Sequence, residues 1–144
     1  MDFIDAIKKR VRADWDIMIV ITGEVGCGKS TLGQILGFRL DDLFDQTKNI
    51  VYIPTTESMI STFNAIDRYQ VFMLDEALEL FYKMDFMKEY QKTLIKLYAR
   101  ERKQNKISIL CLPAFTDLTK QLRDKRVKIW IHIIERGFGL IFTK

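Results

Sequence analysis

Hydrophobic positions change their spacing repeatedly along the chain, and each change marks an element. Phe3, Ile4, Ile7 and Val11 share one face of a helix over 3–12, with Asp2 placed to cap it. Ile17–Ile21 is a short unbroken apolar run, as in a strand buried on both faces, and it leads straight into Thr22-Gly23. Helical spacing returns at Leu32, Ile35, Leu36 and Leu40. A second strand is predicted at Ile50–Ile53, ended by Pro54, which cannot donate to a ladder. Thr55 or Thr56 caps a helix carrying Met59, Ile60, Phe63 and Ile66. Val71–Leu74 is a third strand, stopping at Asp75-Glu76 and followed by a helical stretch over about 77–103. Ile107–Leu112, stopped by Pro113, is the fourth strand. Val127–Ile134 is the fifth, its first half alternating. Gly137 and Gly139 bracket a turn into a sixth short run, Leu140–Phe142.

Strands alternating with helices imply right-handed βαβ crossovers and a mainly parallel sheet covered on both faces. The expected fold is therefore α/β, a three-layer α/β/α core with five or six strands. Residues 1–144 read as one domain, because no repeat, low-complexity segment or linker divides them.

Composition narrows the class only a little. No apolar run approaches the roughly 18–20 residues that span a bilayer. The N-terminus carries acid where a secretion signal needs base. Cys27 and Cys111 are too few and too far apart for a disulfide framework, so a reducing, cytoplasmic setting is expected. Charge is more informative. The chain carries a net +4, yet residues 83–128 hold thirteen Lys and Arg against five Asp and Glu. Such asymmetry fits either a polyanionic partner, nucleic acid above all, or a lysine-rich solvated helix face.

The chemistry is concentrated after the first strand. Gly23-Glu24-Val25-Gly26-Cys27-Gly28-Lys29-Ser30-Thr31 contains the full Walker A pattern, with a buried strand before it and a helix after it. Glycines let backbone N–H groups close around phosphate oxygens, and the helix N-terminus adds partial positive charge. Lys29 is placed to reach the β- and γ-phosphates, Ser30 to hold Mg²⁺, and Thr31 to sit near the α-phosphate.

Asp75-Glu76 ends the third strand as a Walker B pair. Asp75 is positioned to orient Mg²⁺ from beside the loop, and Glu76 to position or activate water for hydrolysis. A kinase, whose nucleophile is a bound substrate hydroxyl, has less use for that second acid. The bland alternative is a helix N-terminal acid pair favoured by the dipole.

With both motifs, the chain resembles the additional-strand, conserved-glutamate P-loop ATPases, which include AAA+, RecA-like and FtsK–HerA-type motors. That resemblance implies a strand order of 5-1-4-3-2, a preference for adenine, and a homo-oligomer whose sites are bridged by an arginine. Arg100 to Lys106, Pro113 to Leu118 and Lys120 to Arg126 are similar to the segments of FtsK–HerA and Zot-like DNA-pumping ATPases. The same likeness nominates Arg123, then Arg126, as the bridging arginine, with Arg100 and Arg102 as further candidates. Phosphate contact or a surface ion pair is the competing reading for each. The group usually has a polar residue at the end of the fourth strand. Here Leu112-Pro113-Ala114 stands there, with Cys111 and Thr116 the nearest polar groups. The short C-terminal segment is expected to carry no AAA+ helical lid.

Tyr82, Phe86, Tyr90 and Tyr98 accompany the basic stretch, but their helical spacing favours core packing over base stacking. Trp15 and Trp130 read as packing, and His132 as a satisfied sheet group without spaced metal partners. Three functions are compatible with these features. They are a Mg²⁺-dependent ATPase moving or remodelling nucleic acid, a small-molecule or nucleotide kinase, and a nucleotide-dependent switch with weak turnover.

Overall fold

Strand β1 (Ile17–Gly23) is buried at every position, as its unbroken apolar run requires, and it lies inside a six-stranded sheet. The computed structural model describes residues 2–13, 16–75, 84–100 and 105–144, without the side chains of 84–86, 99 and 100. Around β1, in chain order, come α1 (Phe3–Arg12), α2 (Lys29–Leu40), β2 (Ile50–Val51), α3 (Thr56–Ala65) and β3 (Val71–Leu74). Then follow α4 (Met84–Arg100), β4 (Ile107–Leu112), a 3-10 turn (Phe115–Asp117), α5 (Lys120–Lys125), β5 (Val127–Glu135) and β6 (Phe138–Thr143).

The sheet order is β2-β3-β4-β1-β5-β6. Strands β1 to β5 are parallel and β6 is antiparallel to β5. Taken from the β5 edge, the parallel strands run 5-1-4-3-2. The whole order differs from the expected one by β6, which extends the sheet beyond β5.

Two apolar layers cover the faces. Ile7, Val11, Leu36 and Leu40 of α1 and α2 pack on Ile19, Ile109 and Ile131. Met59, Phe63, Leu94, Leu97 and Leu122 of α3, α4 and α5 pack on Val20, Phe72 and Leu110 of the opposite face. Each such fully buried side chain contributes about 1.5–3 kcal/mol. Asp2 caps α1 by accepting from the Asp5 N–H at 2.9 Å. Thr55 caps α3 in a reciprocal capping box with Ser58. Both caps are as expected.

Some boundaries differ from the sequence pattern. β2 is two residues long, because the chain turns away after Val51 and leaves Tyr52 and Ile53 exposed. On α2 the buried face is Gly33, Leu36, Gly37 and Leu40, while Ile35 is 50% exposed. The glycines let the helix lie close: a Cβ on Gly33 would stand 2.6 Å from Met73 Cε, and one on Gly37 2.6 Å from the Phe44 ring. Gly139 lies within β6 and not at its turn; the two residues linking β5 to β6 are Arg136 and Gly137, since Glu135 pairs with Phe138. Every residue of β6 is exposed.

Candidate functional site

The loop between β1 and α2 owes its shape to three glycines. Gly26 and Gly28 have φ of +78° and +101°, values that a side chain would strain. Gly23 is constrained by space as well, since a Cβ there would meet Cys27 Sγ at 2.7 Å and the Ile133 carbonyl oxygen at 2.9 Å. Gly28 heads α2 with no side-chain cap, so the first-turn N–H groups face the loop without a side-chain acceptor. That is the anion cradle the sequence pattern implies.

Lys29 is only 6% exposed, and its Nζ donates to the carbonyls of Gly23 at 2.7 Å and Glu24 at 3.0 Å. These bonds aim the ammonium into the loop instead of out to solvent. Its own carbonyl accepts a weak Sγ–H bond from buried Cys111 on β4 at 3.7 Å, tying the helix start to the sheet. Val25, Gly26, Gly28, Lys29, Ser30 and Thr31 together wall a cavity of about 340 Å³. Within the loop the Cys27 N–H donates to the Glu24 carbonyl at 3.2 Å.

The Ser30 hydroxyl donates to Oδ1 of Asp75, in a short hydrogen bond. Asp75 follows β3, and its N–H still donates to the Val51 carbonyl at 2.9 Å, so the carboxylate is held by the sheet. Two hard oxygen donors from separate elements thus converge beside the loop. They fit a small divalent cation such as Mg²⁺, which keeps most of its waters and takes few protein ligands. Glu76 lies outside the described residues. So do Trp15, Tyr82, Lys83, Arg102 and Lys103, and the side chains of Phe86 and Arg100.

Beneath the loop, the Trp130 indole donates to Thr22 Oγ1 at 2.7 Å, and that hydroxyl shares a 2.9 Å hydrogen bond with His132 Nδ1. Trp130 is itself stacked between Phe115, at 4.3 Å between ring centroids, and Phe142, at 4.7 Å. His132 is therefore a satisfied sheet residue and Trp130 a packing one, both bracing the strand that carries the loop. Tyr90 and Tyr98 are core residues, and burial raises both phenol pKa values above the ordinary tyrosine range.

Of the nominated arginines, neither Arg123 nor Arg126 lines the cradle of its own chain. Arg123 Nε donates to the Leu118 carbonyl at 3.0 Å. Arg126 faces Asp16, ahead of β1 and so at the opposite end of the sheet; burial raises the Asp16 pKa and the guanidinium opposes that rise. An arginine that sequence reasoning passed over is the one at the loop: Arg136 lines the phosphate cavity, and its Nε donates to the Gly26 carbonyl at 3.2 Å. A signal for it existed. It follows the fifth strand at the end where that strand lies beside β1, with Gly23 paired to Ile133.

A second cavity of about 650 Å³ adjoins the first, between α2 and the β5–β6 hairpin. Cys27, Thr31, Ile35, Ile133, Phe138 and Ile141 contribute to its mostly apolar wall, which explains why Ile35 is not packed on the sheet. Among the described residues, no cluster of His, Cys, Asp and Glu forms a separate metal site, and no helix is long and apolar enough to cross a membrane.

The mainly parallel sheet, the glycine cradle with its lysine, and the Ser30–Asp75 junction define a P-loop NTPase. The family model described as novel STAND NTPase 3 (nSTAND3) matches residues 6–129, and the chain belongs to that family. Among solved structures it is similar to a DNA polymerase III gamma subunit-related protein from Thermotoga maritima. There the TM-score is 0.63 at 10% identity, over 94% of this chain and 47% of that one. RuvB from Thermotoga maritima matches with a TM-score of 0.61 at 19% identity, over 90% and 42% of the two chains. PCH-2 from C. elegans matches with 0.56 at 18%, over 94% and 41%. The chain thus spans less than half the length of these structures, and the likeness is one of fold. No curated protein sequence matches.

Proposed function

We propose that this domain binds ATP with Mg²⁺ and hydrolyses it between the phosphate loop and the end of β3. The observation that carries this reading is the Ser30–Asp75 hydrogen bond, which brings the Walker A hydroxyl and the Walker B carboxylate to one point. Lys29 and the N–H groups of Gly26 to Thr31 would take the phosphates, and Glu76 would position the attacking water. Mg²⁺ would neutralise phosphate charge between Ser30 and Asp75. The apolar cavity beside Thr31 and Ile35 has room for the base and ribose, consistent with adenine.

The finer reading is a nucleic-acid motor of the FtsK–HerA kind, working in the cytoplasm as a homo-oligomer with Arg123 or Arg126 reaching a neighbour's site. Its support is charge placement. Lys88, Lys92 and Lys96 recur every four residues along the exposed side of α4, and Lys120 and Lys125 are exposed on α5. Turnover with and without duplex or single-stranded DNA at low salt tests it, with product analysis alongside. Stimulated release of free phosphate supports the motor. Unstimulated release leaves the ATPase without the nucleic-acid role, and a phosphorylated acceptor points to a kinase.

One observation favours a nucleotide switch with slow turnover. β4 ends in Leu112, fully buried and apolar, and its neighbour Cys111 is engaged with the Lys29 carbonyl. A γ-phosphate sensor at that strand end would have to come from elsewhere.

A further inference from the structure

The Arg136 side chain reaches the phosphate loop from outside both Walker motifs. It sits exposed on the two-residue turn between β5 and β6 and reaches across to the Gly26 carbonyl at 3.2 Å. Among the described residues that is its one hydrogen bond, made through Nε, and it leaves the two terminal nitrogens of the guanidinium fork unspent. An exposed bond to a neutral carbonyl stabilises little, so structural pinning alone is a weak reason for an arginine here. The same side chain helps to wall the cradle formed by Val25, Gly28, Lys29 and Ser30. It also stands at the junction with the apolar cavity toward Thr31 and Ile35, the point a phosphate chain must cross to reach a base.

The turn has little freedom to carry this guanidinium elsewhere. β5 pairs with β1 up to Gly23–Ile133, and β6 pairs back onto β5 from Glu135–Phe138 onward. Gly137, at φ +82°, closes the turn in a conformation that favours glycine. The hairpin therefore delivers Arg136 to the loop from the same chain and from the side opposite Asp75, since β5 and β3 lie on either side of β1 in the sheet.

We infer that Arg136 is a nucleotide-binding residue acting in cis, its guanidinium fork taking phosphate oxygens of the bound nucleotide across the mouth of the loop from Lys29. This rests on the ATP-site reading above. It separates two arginine roles: phosphate binding within one subunit by Arg136, and any bridging between subunits by Arg123 or Arg126. It also makes affinity depend on the β5–β6 hairpin, which lies outside the Walker motifs.

Three substitutions at this exposed position distinguish a phosphate contact from a pin on the loop. Arg136→Gln keeps an N–H donor for the Gly26 carbonyl but loses the charge; Arg136→Lys keeps charge and loses the fork; Arg136→Ala loses both. ATP affinity is measured by calorimetry in EDTA, to prevent turnover, with thermal melting as a check on folding and Lys29→Ala in parallel. Loss of one charged hydrogen-bonding partner predicts that Arg136→Ala and Arg136→Gln each weaken ATP binding about 10- to 100-fold, with Arg136→Lys recovering part of it. Wild-type affinity in Arg136→Gln, or in all three variants, overturns the inference. If Lys29→Ala abolishes binding while the Arg136 variants do not change it, only this inference fails. If Lys29→Ala binds ATP normally, the site assignment beneath it fails.

Discussion

The hydroxyl of Ser30 donates to Oδ1 of Asp75, so the first turn of the helix after the phosphate loop is tied to the residue that follows β3. Two residues separated by 45 positions in the chain meet there. Ser30 could cap nothing at the second position of α2, and Asp75 has its backbone satisfied by Val51. Their convergence places two oxygen donors where the proposed Mg²⁺ would bind.

Asp75→Ala should therefore change metal dependence before it changes fold. Wild-type turnover is expected to rise with Mg²⁺ and vanish in EDTA. The variant is expected to lose roughly a hundredfold or more, the scale of the several kcal/mol that a bound metal supplies to phosphoryl transition states. Phosphate release across a Mg²⁺ titration reads this. A variant that keeps the wild-type metal response would remove Asp75 from the metal site.

Cys27 gives a chemical probe of the same loop. It is partly exposed at the mouth of the cradle and lines the apolar cavity, whereas Cys111 is fully buried. Treatment of the folded protein with N-ethylmaleimide should modify Cys27 first, and ATP should slow that reaction. Mass mapping of the adduct with time gives both answers. Equal rates with and without ATP would mean that the nucleotide does not cover this edge of the loop.

The close approach of α2 to its surroundings predicts a graded cost of adding a methyl group. Gly37→Ala would drive a Cβ against the Phe44 ring, which is held edge-on by Phe38 at 4.9 Å between centroids. Gly33→Ala would meet the flexible end of Met73, which can shift. Urea unfolding should show Gly37→Ala destabilised by about 1–3 kcal/mol, and Gly33→Ala by less. The reverse order would mean that Phe44 is the more easily displaced neighbour.

Thr22 should matter out of proportion to its size. Its hydroxyl serves both the Trp130 indole and His132, directly before the first glycine of the loop. Thr22→Val keeps the volume and strands the indole N–H, so a loss of about 1–3 kcal/mol is expected in the same unfolding assay. A variant as stable as the wild type would show that water or another group replaces the hydroxyl.

Much of this site was legible in the sequence because its parts are local. Gly23 to Thr31 form one contiguous loop, and Asp75 ends an apolar run that can only be a strand. Even the order of the parallel strands followed once the resemblance to P-loop ATPases was granted. What escaped was set by packing between distant elements. Arg136 looked like an ordinary turn residue until β5 was seen beside β1. Ile35 had helical spacing with Leu32 and Leu36, yet glycines at 33 and 37 turned the helix so that Ile35 borders a cavity. The Thr22–His132–Trp130 group joins residues more than a hundred positions apart. The lysines of α4, by contrast, were visible from composition, and their exposure along one side adds placement without naming a partner.

Phosphate release by the wild type and by Lys29→Ala decides whether ATP is hydrolysed at the loop of residues 23–31. Lys29 holds the loop carbonyls of Gly23 and Glu24 and points into the cradle, so its loss should take release to the no-enzyme background in a protein that still melts cooperatively. Mg²⁺-dependent release by the wild type, absent in Lys29→Ala, is the predicted result. Equal release by the two proteins, or none by the wild type with Mg²⁺ present, would contradict it.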